Sequence, residues 1–415
     1  MAARVCVIGG GPAGLTAALR AAESGARTVL LEQEERVGKK LLLTGNGHCN
    51  FTNRSMGPAF YHQEEGGFAD KALQLFGEAD TEAWFRSLGI WPQEKHGGYL
   101  YPRSGQAGSV LNALRDACQR AGVRTVTACI TRQVLKKKNG LFQIRTQNEM
   151  VPADALVLAT GSPAGRGKNQ EESGTVFAKE FGHRVVPMLP ALCGFSCAEK
   201  EFFKAAAGVR TPGRITLLLE GRPEESAEGE IQLTAYGISG IPAFQVSRTV
   251  ARALQQGRKA AAVLNLLPEF EDPKEFLTQR IREGQFTTLE ALGNGLVNRN
   301  LWGAVLRLGN LRPGAVPGDL SDEELNRLSE AVSGAVFRII RVNGFDQAQT
   351  CTGGVALQEI SPETMESRLV PGLFFAGEMM DVDGLCGGYN LQWCWTSGTL
   401  AGRNAARILD GPGQT

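Results

Sequence analysis

The stretch that decides the fold lies near the start of the chain and reads Val5-Cys6-Val7-Ile8-Gly9-Gly10-Gly11-Pro12-Ala13-Gly14. Its first four residues form a continuous apolar run of the length typical of a buried parallel strand. A G-x-G-x-x-G motif follows, and then apolar residues at helical spacing continue as far as Gly25. A second apolar strand, 28–31, ends at Glu32. Strand, glycine motif, helix, strand and acid in this order predict a Rossmann-like α/β fold that binds a dinucleotide.

Each glycine of the motif has a physical role in this prediction. Gly9 permits the tight turn, Gly11 lets the backbone approach a pyrophosphate, and Gly14 lets the helix pack close to the strand. Pro12 lies in the same turn, at the start of the helix whose N-terminus faces the phosphate charge. The acid Glu32 favours an unphosphorylated ribose, so the predicted ligand is FAD or NAD rather than NADP.

The composition is that of an ordinary globular protein. Of the 415 residues, 42% are hydrophobic and 21% are charged, and the net charge is +1. Basic and acidic residues are thus nearly equal in number, whereas nucleic-acid binders typically have an excess of basic residues. No apolar run approaches the roughly 18 residues that span a bilayer, and the N-terminus lacks the features of a signal peptide. The nine cysteines form no C-x-x-C pair, which indicates free thiols in a reducing cytoplasm and no metal site.

Segments beyond Glu32 indicate which dinucleotide is bound. The segment 37–53 has glycines flanking polar side chains, which suits a loop passing a flat ring system, with a plain surface loop as the alternative. A β-meander is also predicted, with strands at 124–132, 133–137, 141–146 and 155–159. Such a meander is unlike the domain of a simple nicotinamide dehydrogenase. Near the C-terminus, 372–378 reads as a buried strand ending in a glycine and an acid. Residues 387–390 then precede a helix over 391–409, whose N–H groups would face an electron-rich ring.

Five motifs together resemble one bacterial flavoprotein family. They are G-x-G-x-x-G at 9–14, G-K-K-x-x-x-T-G-x-G-x-C-N-x-T-N at 38–53, A-T-G at 159–161, T-G-G-V at 352–355 and G-E-x-x-D-x-x-G-x-x-G-G-Y-N at 377–390. The set resembles the BaiN-like NAD(P)/FAD-dependent oxidoreductases over essentially the whole chain, and the second and last motifs are the most specific. The resemblance implies FAD bound non-covalently in a discontinuous domain built from both ends of the chain.

The resemblance also implies which residues contact the cofactor. Those at the pyrophosphate would be Gly9, Gly11, Pro12, Ala13 and Gly14, and those at the adenosine would be Glu32, Gln33 and, through its backbone, Ile130. Those along the rest of the cofactor would be Lys40, Asn46, Gly47, Cys49, Thr160, Gly161, Gly377, Glu378, Gly388, Asn390 and Leu391.

Three side chains are candidate proton donors near a flavin, namely Tyr389, Tyr236 and His48. For each tyrosine the alternative is a packing role with a satisfied hydroxyl. His48 stands where the family usually has Arg, and because its ring titrates near neutrality, the charge of the substrate stays open, as does a histidyl–flavin linkage. Cys193 and Cys197 are predicted to be structural thiols, with a redox pair as the alternative.

The middle of the chain is predicted to be an insertion between the two FAD-binding parts. The expected division is an FAD-binding domain at 1–186 and 340–415, a β-rich, barrel-like substrate domain at 187–265 and about 330–345, and a helical module at 266–330. A capping box at Ser321 supports a helix in that last module. We expect the substrate cleft where these modules cover the flavin, since ligand pockets favour domain interfaces.

Two enzymatic activities and one non-enzymatic role remain open from the sequence. The first is NADH- or NADPH-linked reduction of an activated C=C bond in a flat enone or steroid- or bile-acid-like substrate, which is what the resemblance to the family's namesake implies. The second is oxidation of a small amine, such as aminoacetone, with production of hydrogen peroxide. The weakest is a non-catalytic flavin-binding partner protein. The segment after Ala159 lacks a second nucleotide fingerprint, so a nicotinamide donor would visit the flavin transiently. The expected partner is a small molecule, not a nucleic acid or a membrane.

Overall fold

The structure of the protein is a computed structural model, which describes residues 2–64, 66–165 and 173–409. The chain divides into two units, which are unit 1, Met1–Met188 with Thr350–Thr415, and unit 2, Leu189–Gln349.

The elements below are numbered in chain order. The first strands are β1 (Arg4–Ile8), β2 (Arg27–Leu31), β3 (Thr52–Asn53), β4 (Tyr61–Gln63), β5 (Pro92–Lys95), β6 (Tyr99–Pro102), β7 (Arg124–Val126), β8 (Thr131–Lys136), β9 (Phe142–Thr146), β10 (Met150–Ala153) and β11 (Ala155–Leu158). The later strands are β12 (Val185–Ala191), β13 (Phe195–Cys197), β14 (Arg210–Leu219), β15 (Arg222–Thr234), β16 (Gly237–Gly240), β17 (Ala260–Asn265), β18 (Ala335–Val342), β19 (Thr350–Val355), β20 (Leu373–Phe375) and β21 (Val382–Gly384). The helices are α1 (Pro12–Glu23), α2 (Phe68–Leu75), α3 (Glu78–Ser87), α4 (Ala107–Arg120), α5 (Ser173–Glu180), α6 (Lys200–Ala205), α7 (Ile241–Gln255), α8 (Pro273–Glu283), α9 (Leu289–Leu292), α10 (Arg299–Leu308), α11 (Asp322–Ser333) and α12 (Tyr389–Ala406).

Unit 1 is organised around a five-stranded parallel sheet in the order β20-β11-β1-β2-β7. Strand β1 lies in the middle, where Val7 pairs with Leu30 on one side and Val157 on the other. Its apolar run is buried because strands cover both of its edges and helices cover its faces. Strand β20 comes from the C-terminal part of the chain and completes the sheet beside β11. The predicted Rossmann-like α/β fold is confirmed.

The predicted strand 124–132 is wrong as a single element. Strand β7 belongs to the parallel sheet, whereas β8 belongs to a separate antiparallel sheet in the order β10-β9-β8. Between them Ala128 adopts a left-handed backbone conformation, with φ at 50°. A turn made without glycine or proline carries no local signal, so hydrophobic pattern alone reads straight through it.

Helix α12 packs directly against α1 through glycines. A Cβ on Gly398 would lie 2.6 Å from the carbonyl oxygen of Ala13, and one on Gly402 would lie 2.3 Å from that of Ala17. Only glycine permits this approach of the two backbones. Trp393 and Trp395 are both fully buried, although residues two apart in a helix point to different faces. The reason is that α12 is surrounded by other elements of unit 1 on nearly all sides.

Unit 2 contains a closed barrel of six strands in the order β13-β16-β15-β14-β17-β18. The helices α8 to α11 share its hydrophobic core. Each of these helices begins at a residue whose side chain accepts a backbone N–H, namely Asp272, Thr288, Asn298 and Ser321. The predicted capping box at Ser321 is confirmed, with Glu324 as its second member. Within the part of the chain that the structure describes, none of the helices has the length and apolar composition that crossing a bilayer requires.

Candidate functional site

The glycine motif forms a turn with space outside it. A Cβ on Gly9, whose φ is 107°, would lie 2.4 Å from the carbonyl oxygen of Ala159, and one on Gly14 would lie 1.8 Å from that of Gly9. Packing therefore requires glycine at both positions. A Cβ on Gly11 would instead meet no protein atom within 4 Å. The glycine at 11 is not explained by the protein's own packing, which fits a cradle kept open for a pyrophosphate.

Three strand ends of the parallel sheet converge on the first turn of α1. Thr160 and Gly161 follow β11, and the Cα of Thr160 would lie 2.9 Å from a Cβ on Gly9. Gly377 follows β20 with φ at 77°, and a Cβ there would lie 2.7 Å from the Cβ of Ala13. Ligands of open parallel sheets bind at the carboxyl ends of the strands, which is the edge that these residues form.

The Glu32 carboxylate is held against the glycine turn. Its Oε2 accepts the backbone N–H of Gly10 at 2.5 Å, and its Oε1 accepts that of Glu34 at 2.8 Å. Each carboxylate oxygen has a second lone pair, so both can also accept a hydroxyl. The side chain therefore braces the turn and remains able to bind a ribose.

A cavity of about 1050 Å³ lies beside the segment that follows this acid in the chain, starting at Gln33. Gln33 and Ile130, both expected at the adenosine, line it together. Sequence reasoning missed its other walls, which come from α4, α5 and basic side chains, namely Arg36, Lys39, Leu111, Arg115, Arg132 and Phe177. The sequence pattern of an amphipathic helix such as α4 predicts that one face packs against the core. The pattern is the same whether or not the helix also lines a ligand site.

The predicted cofactor loop over 44–49 has an unusual backbone. Gly45, Asn46, Gly47 and Cys49 all have positive φ, so the chain winds in left-handed turns. Asn46 lies on the outside of these turns and is exposed. Cys49 is fully buried, and burial raises the pKa of its thiol to about 12, which excludes a reactive thiolate there.

His48 is tied to a neighbouring loop. Its Nδ1 lies 2.6 Å from the carbonyl oxygen of Gly105. A carbonyl only accepts, so Nδ1 carries a proton, and in the neutral ring Nε2 is then the acceptor. The ring is exposed and oriented, which leaves Nε2 free to face a ligand.

A partly buried ion pair joins the two ends of the chain within unit 1. The Nζ of Lys40 lies 2.5 Å from the Oε2 of Glu378. The hydroxyls of Ser162 and Thr350 donate to the same carboxylate at 3.0 and 3.3 Å. The Glu378 carboxylate is therefore paired within the protein and helps to fix the position of the Lys40 ammonium, and its contact with a cofactor stays a prediction.

The N-terminus of α12 begins without a side-chain cap. Its N-cap is Gly388, whose φ is 94°, and a Cβ there would lie 2.7 Å from the carbonyl oxygen of Thr52. The side chain of Asn390 is used locally, since its amide both accepts from and donates to the backbone of Gly384. Asn390 and Leu391 can therefore contact a ligand through their backbone N–H groups, which have no partner inside the helix.

Asn50, which sequence reasoning missed, adds a polar atom to this helix end. Its Oδ1 is buried and has no hydrogen-bond partner among the described residues. It would lie 3.0 Å from a Cβ on Gly388. A buried acceptor without a donor costs free energy, so this atom fits a ligand that brings an N–H or O–H. The C-N-x-T-N motif was the available signal for it.

The candidate Tyr389 is firmly positioned. Its ring stacks on Phe60 with centroids 4.7 Å apart and meets Tyr61 edge-on at 5.9 Å. The hydroxyl of Tyr61 donates to its backbone carbonyl at 3.0 Å. Burial raises the pKa of the Tyr389 hydroxyl to about 12, so the group is protonated at neutral pH.

The other candidates lie in unit 2. The hydroxyl of Tyr236 accepts the side-chain amide of Asn343 at 3.0 Å, and the ring is 39% exposed. Cys193 and Cys197 are buried free thiols, and burial raises the pKa of Cys193 to about 11. Neither thiol has the low pKa of a redox-active cysteine, which favours structural roles.

Known proteins resemble this chain over nearly its full length. Residues 3–404 match the HI0933-like protein Rossmann domain. A 3-dehydro-bile acid delta(4,6)-reductase from Clostridium scindens is 40% identical and covers 97% of this chain and 99% of its own. A ribosomal RNA dihydrouridine synthase from Escherichia coli is 31% identical, covering 94% and 95%. Among solved structures, a 3-ketosteroid delta1-dehydrogenase from Sterolibacterium denitrificans aligns with a TM-score of 0.51 and 12% sequence identity. The alignment covers 97% of this chain and 99% of that one, and at this identity it shows similarity of fold alone.

Proposed function

The chain belongs to the HI0933-like family, and from that membership we propose that this FAD-dependent oxidoreductase reduces a C=C bond conjugated to a ketone. The proposed substrate is a flat enone of the steroid or bile-acid type, and the proposed electron donor is NADH or NADPH. The observation that carries the proposal is the similarity, over almost the whole of both chains, to the Clostridium scindens reductase.

The residues at the carboxyl edge of the sheet fit FAD. The open space outside Gly11 and the unpaired acceptor of Asn50 each match one part of such a ligand. The proposed contacts run from the glycine turn through the Glu32 carboxylate and the cavity lined by Gln33 to the N-terminus of α12. Both α1 and α12 begin at a glycine without a side-chain cap, so their first N–H groups remain available for the ligand.

FAD, when bound, would supply the hydride chemistry of the reaction. Overall, NAD(P)H, a proton and the enone give NAD(P)⁺ and the saturated ketone. The protein must therefore deliver one proton to the carbon next to the carbonyl. Tyr389 holds a proton on its hydroxyl at neutral pH, and its ring is fixed by Phe60 and Tyr61. We assign it as the candidate donor, with His48 and Tyr236 as the alternatives.

A second candidate function rests on a separate observation. The similarity to ribosomal RNA dihydrouridine synthase also covers nearly all of both chains. The C=C bond of uracil is itself conjugated to a carbonyl, so the same chemistry would serve an RNA base. Both named relatives carry out reductions, which supports a reductase over the amine oxidase.

An anaerobic spectrum of the purified protein tests the proposal. We expect a flavin absorbance that NADH or NADPH bleaches and that androstenedione or a 3-oxo bile acid enone restores. Restoration by ribosomal RNA in place of the enones would favour the second function. A flavin that neither nucleotide reduces, together with peroxide formation from aminoacetone in air, would overturn the reductase in favour of the oxidase.

We also propose a cytoplasmic location and a domain assignment. All nine cysteines lie within the described residues and are free thiols, which supports a reducing compartment. We likewise propose an FAD-binding domain at 1–186 and 340–415, a substrate domain at 187–265 and about 330–345, and a helical module at 266–330. A small molecule as the main partner is also a proposal. Reduction of an enone but not of RNA would support the last of these.

A further inference from the structure

Two tyrosines that the sequence did not single out share one face of a short strand. Along β6, Tyr99 and Tyr101 are half-buried whereas Leu100 and Pro102 are buried, as period-two alternation requires. Strand β6 lies between β3 and β5 in a small antiparallel sheet. Its neighbour β3 ends the C-N-x-T-N motif, and Asn53 of β3 pairs with Tyr99.

The ring of Tyr99 lies against the turn that leads into α12. A Cβ on Gly387 would lie 2.7 Å from the Cε1 of Tyr99 and 3.0 Å from the Cε2 of Tyr389. The two rings therefore flank the same glycine. The side-chain amide of Asn53 donates to the carbonyl oxygen of Gly387 at 3.0 Å, which holds this turn in place. Tyr99 thus sits beside Gly388, where α12 begins.

The hydroxyl of Tyr99 is available to a ligand. It has no hydrogen-bond partner among the described residues, whereas the hydroxyl of Tyr61 donates to a backbone carbonyl and that of Tyr236 accepts an amide. Burial, with a smaller effect from Cys386, raises the pKa of Tyr99, so the hydroxyl remains a donor at neutral pH. A half-buried donor without a partner satisfies itself only from solvent or from a ligand.

We propose that Tyr99 is a catalytic residue whose hydroxyl donates a hydrogen bond to the ketone oxygen of the enone, an inference that rests on the proposed function. When hydride reaches the conjugated carbon, the electron pair of the C=C bond moves towards that oxygen and gives an enolate. The Tyr99 hydroxyl stabilises the negative charge without giving up its proton. The carbon next to the carbonyl then takes a proton from Tyr389 or from water, so that one hydride and one proton are added in all.

This role determines which substrates react. A donor aimed at the oxygen favours acceptors that place a carbonyl in conjugation with the reacting carbon. An isolated C=C bond, or an electron acceptor without a carbonyl, gains nothing from Tyr99. The substitution Tyr99→Phe keeps the ring beside Gly387 and removes only the hydroxyl, so the variant isolates this interaction from packing.

The test follows the oxidation of reduced holoenzyme. Wild type and Tyr99→Phe are reduced anaerobically with dithionite, and the return of flavin absorbance is timed after mixing with androstenedione or with ferricyanide. We expect Tyr99→Phe to slow the reaction with the enone about 100-fold, the usual loss for one such donor. The reaction with ferricyanide should match wild type, since that acceptor has no ketone. The flavin content of each variant is measured first.

Tyr101→Phe is the matched comparison. Tyr101 shares the strand face, but its Cε1 would lie 3.5 Å from a Cβ on Gly45, and the ammonium of Lys95 lies 4.4 Å from its ring centroid. A smaller effect of Tyr101→Phe on the enone reaction supports the assignment, and an equal loss in both variants overturns it. Oxidation of Tyr99→Phe by the enone at the wild-type rate, or an equal slowing with ferricyanide, also overturns it. A wild-type protein that no enone oxidises refutes the proposed function itself.

Discussion

Substituting alanine for Gly11 tests whether glycine is needed at this position for folding or for FAD binding. Gly11 has φ of −77° and ψ of −173°, an extended conformation that alanine adopts without strain. A Cβ there meets no protein atom within 4 Å. Alanine is a poorer N-cap than glycine by up to about 1 kcal/mol, but it also lowers the entropy of the unfolded chain by a similar amount. We therefore expect the unfolding free energy of the FAD-free protein to change by less than about 1 kcal/mol.

The same methyl group would occupy the space expected for the pyrophosphate. Holding the phosphate away from the first N–H groups of α1 removes about one charge-assisted hydrogen bond, or roughly 1.5–3 kcal/mol. At about 1.4 kcal/mol per tenfold change, the Kd for FAD should rise between about 10- and 150-fold.

The assay titrates FAD into the deflavinated protein and follows the quenching of flavin fluorescence, alongside urea unfolding without FAD. Gly9→Ala is the control, because φ of 107° and a Cβ 2.4 Å from the carbonyl oxygen of Ala159 make alanine incompatible with the fold. That variant should lose more than about 2 kcal/mol of stability even without FAD. If Gly11→Ala binds FAD as tightly as wild type, the space outside Gly11 is not the pyrophosphate site.

Three further outcomes are expected. A double-mutant cycle of Lys40→Met and Glu378→Gln, measured by urea unfolding, should give a coupling free energy of about 1–3 kcal/mol, because the paired atoms are largely shielded from water. Additive effects of the two substitutions would show that the two side chains do not interact. Burial lowers the pKa of His183 below its ordinary value of 6.5, although Glu359 opposes this effect. The unfolded chain therefore binds more protons than the folded one at acidic pH. The free energy of unfolding should fall as the pH drops below about 6.5, by at most about 1.4 kcal/mol per pH unit. Urea unfolding of His183→Gln between pH 5 and 8 should show a shallower slope than wild type, and an unchanged slope would contradict this. Because burial raises the pKa of Cys193 to about 11, iodoacetamide at pH 8 should leave it unmodified in the native protein, as mass spectrometry of its peptides would show, and rapid labelling would contradict its burial.

The sequence predicted best where the physical cause is local. The glycine turn, α1 and the acid after β2 lie within 24 consecutive positions, and each requirement acts between near neighbours. The capping box at Ser321 was predictable for the same reason, since it joins residues three apart. The break at Ala128 was not, because a left-handed alanine is stabilised by its surroundings and not by its own preference.

The burial of both Trp393 and Trp395 shows the same limit in a helix. Helical spacing places them on different faces, which suggests one buried and one exposed side chain. In the structure α12 is enclosed, and the indole N–H of Trp395 donates to the carbonyl oxygen of Phe51 at 2.8 Å. How many faces of a helix are covered depends on elements that lie far away in the sequence.

By itself, the sequence determined the Rossmann-like fold and the residues of the glycine turn, because turn geometry, strand burial and helix spacing are recorded within short stretches of chain. The family followed from motifs that are equally short. Only the tertiary structure decided that Tyr99 flanks Gly387, that Asn50 is left with an unpaired acceptor, and that Glu378 is paired with Lys40. Each of these depends on which distant segments meet when the strands pair, and no local preference of the chain specifies that meeting.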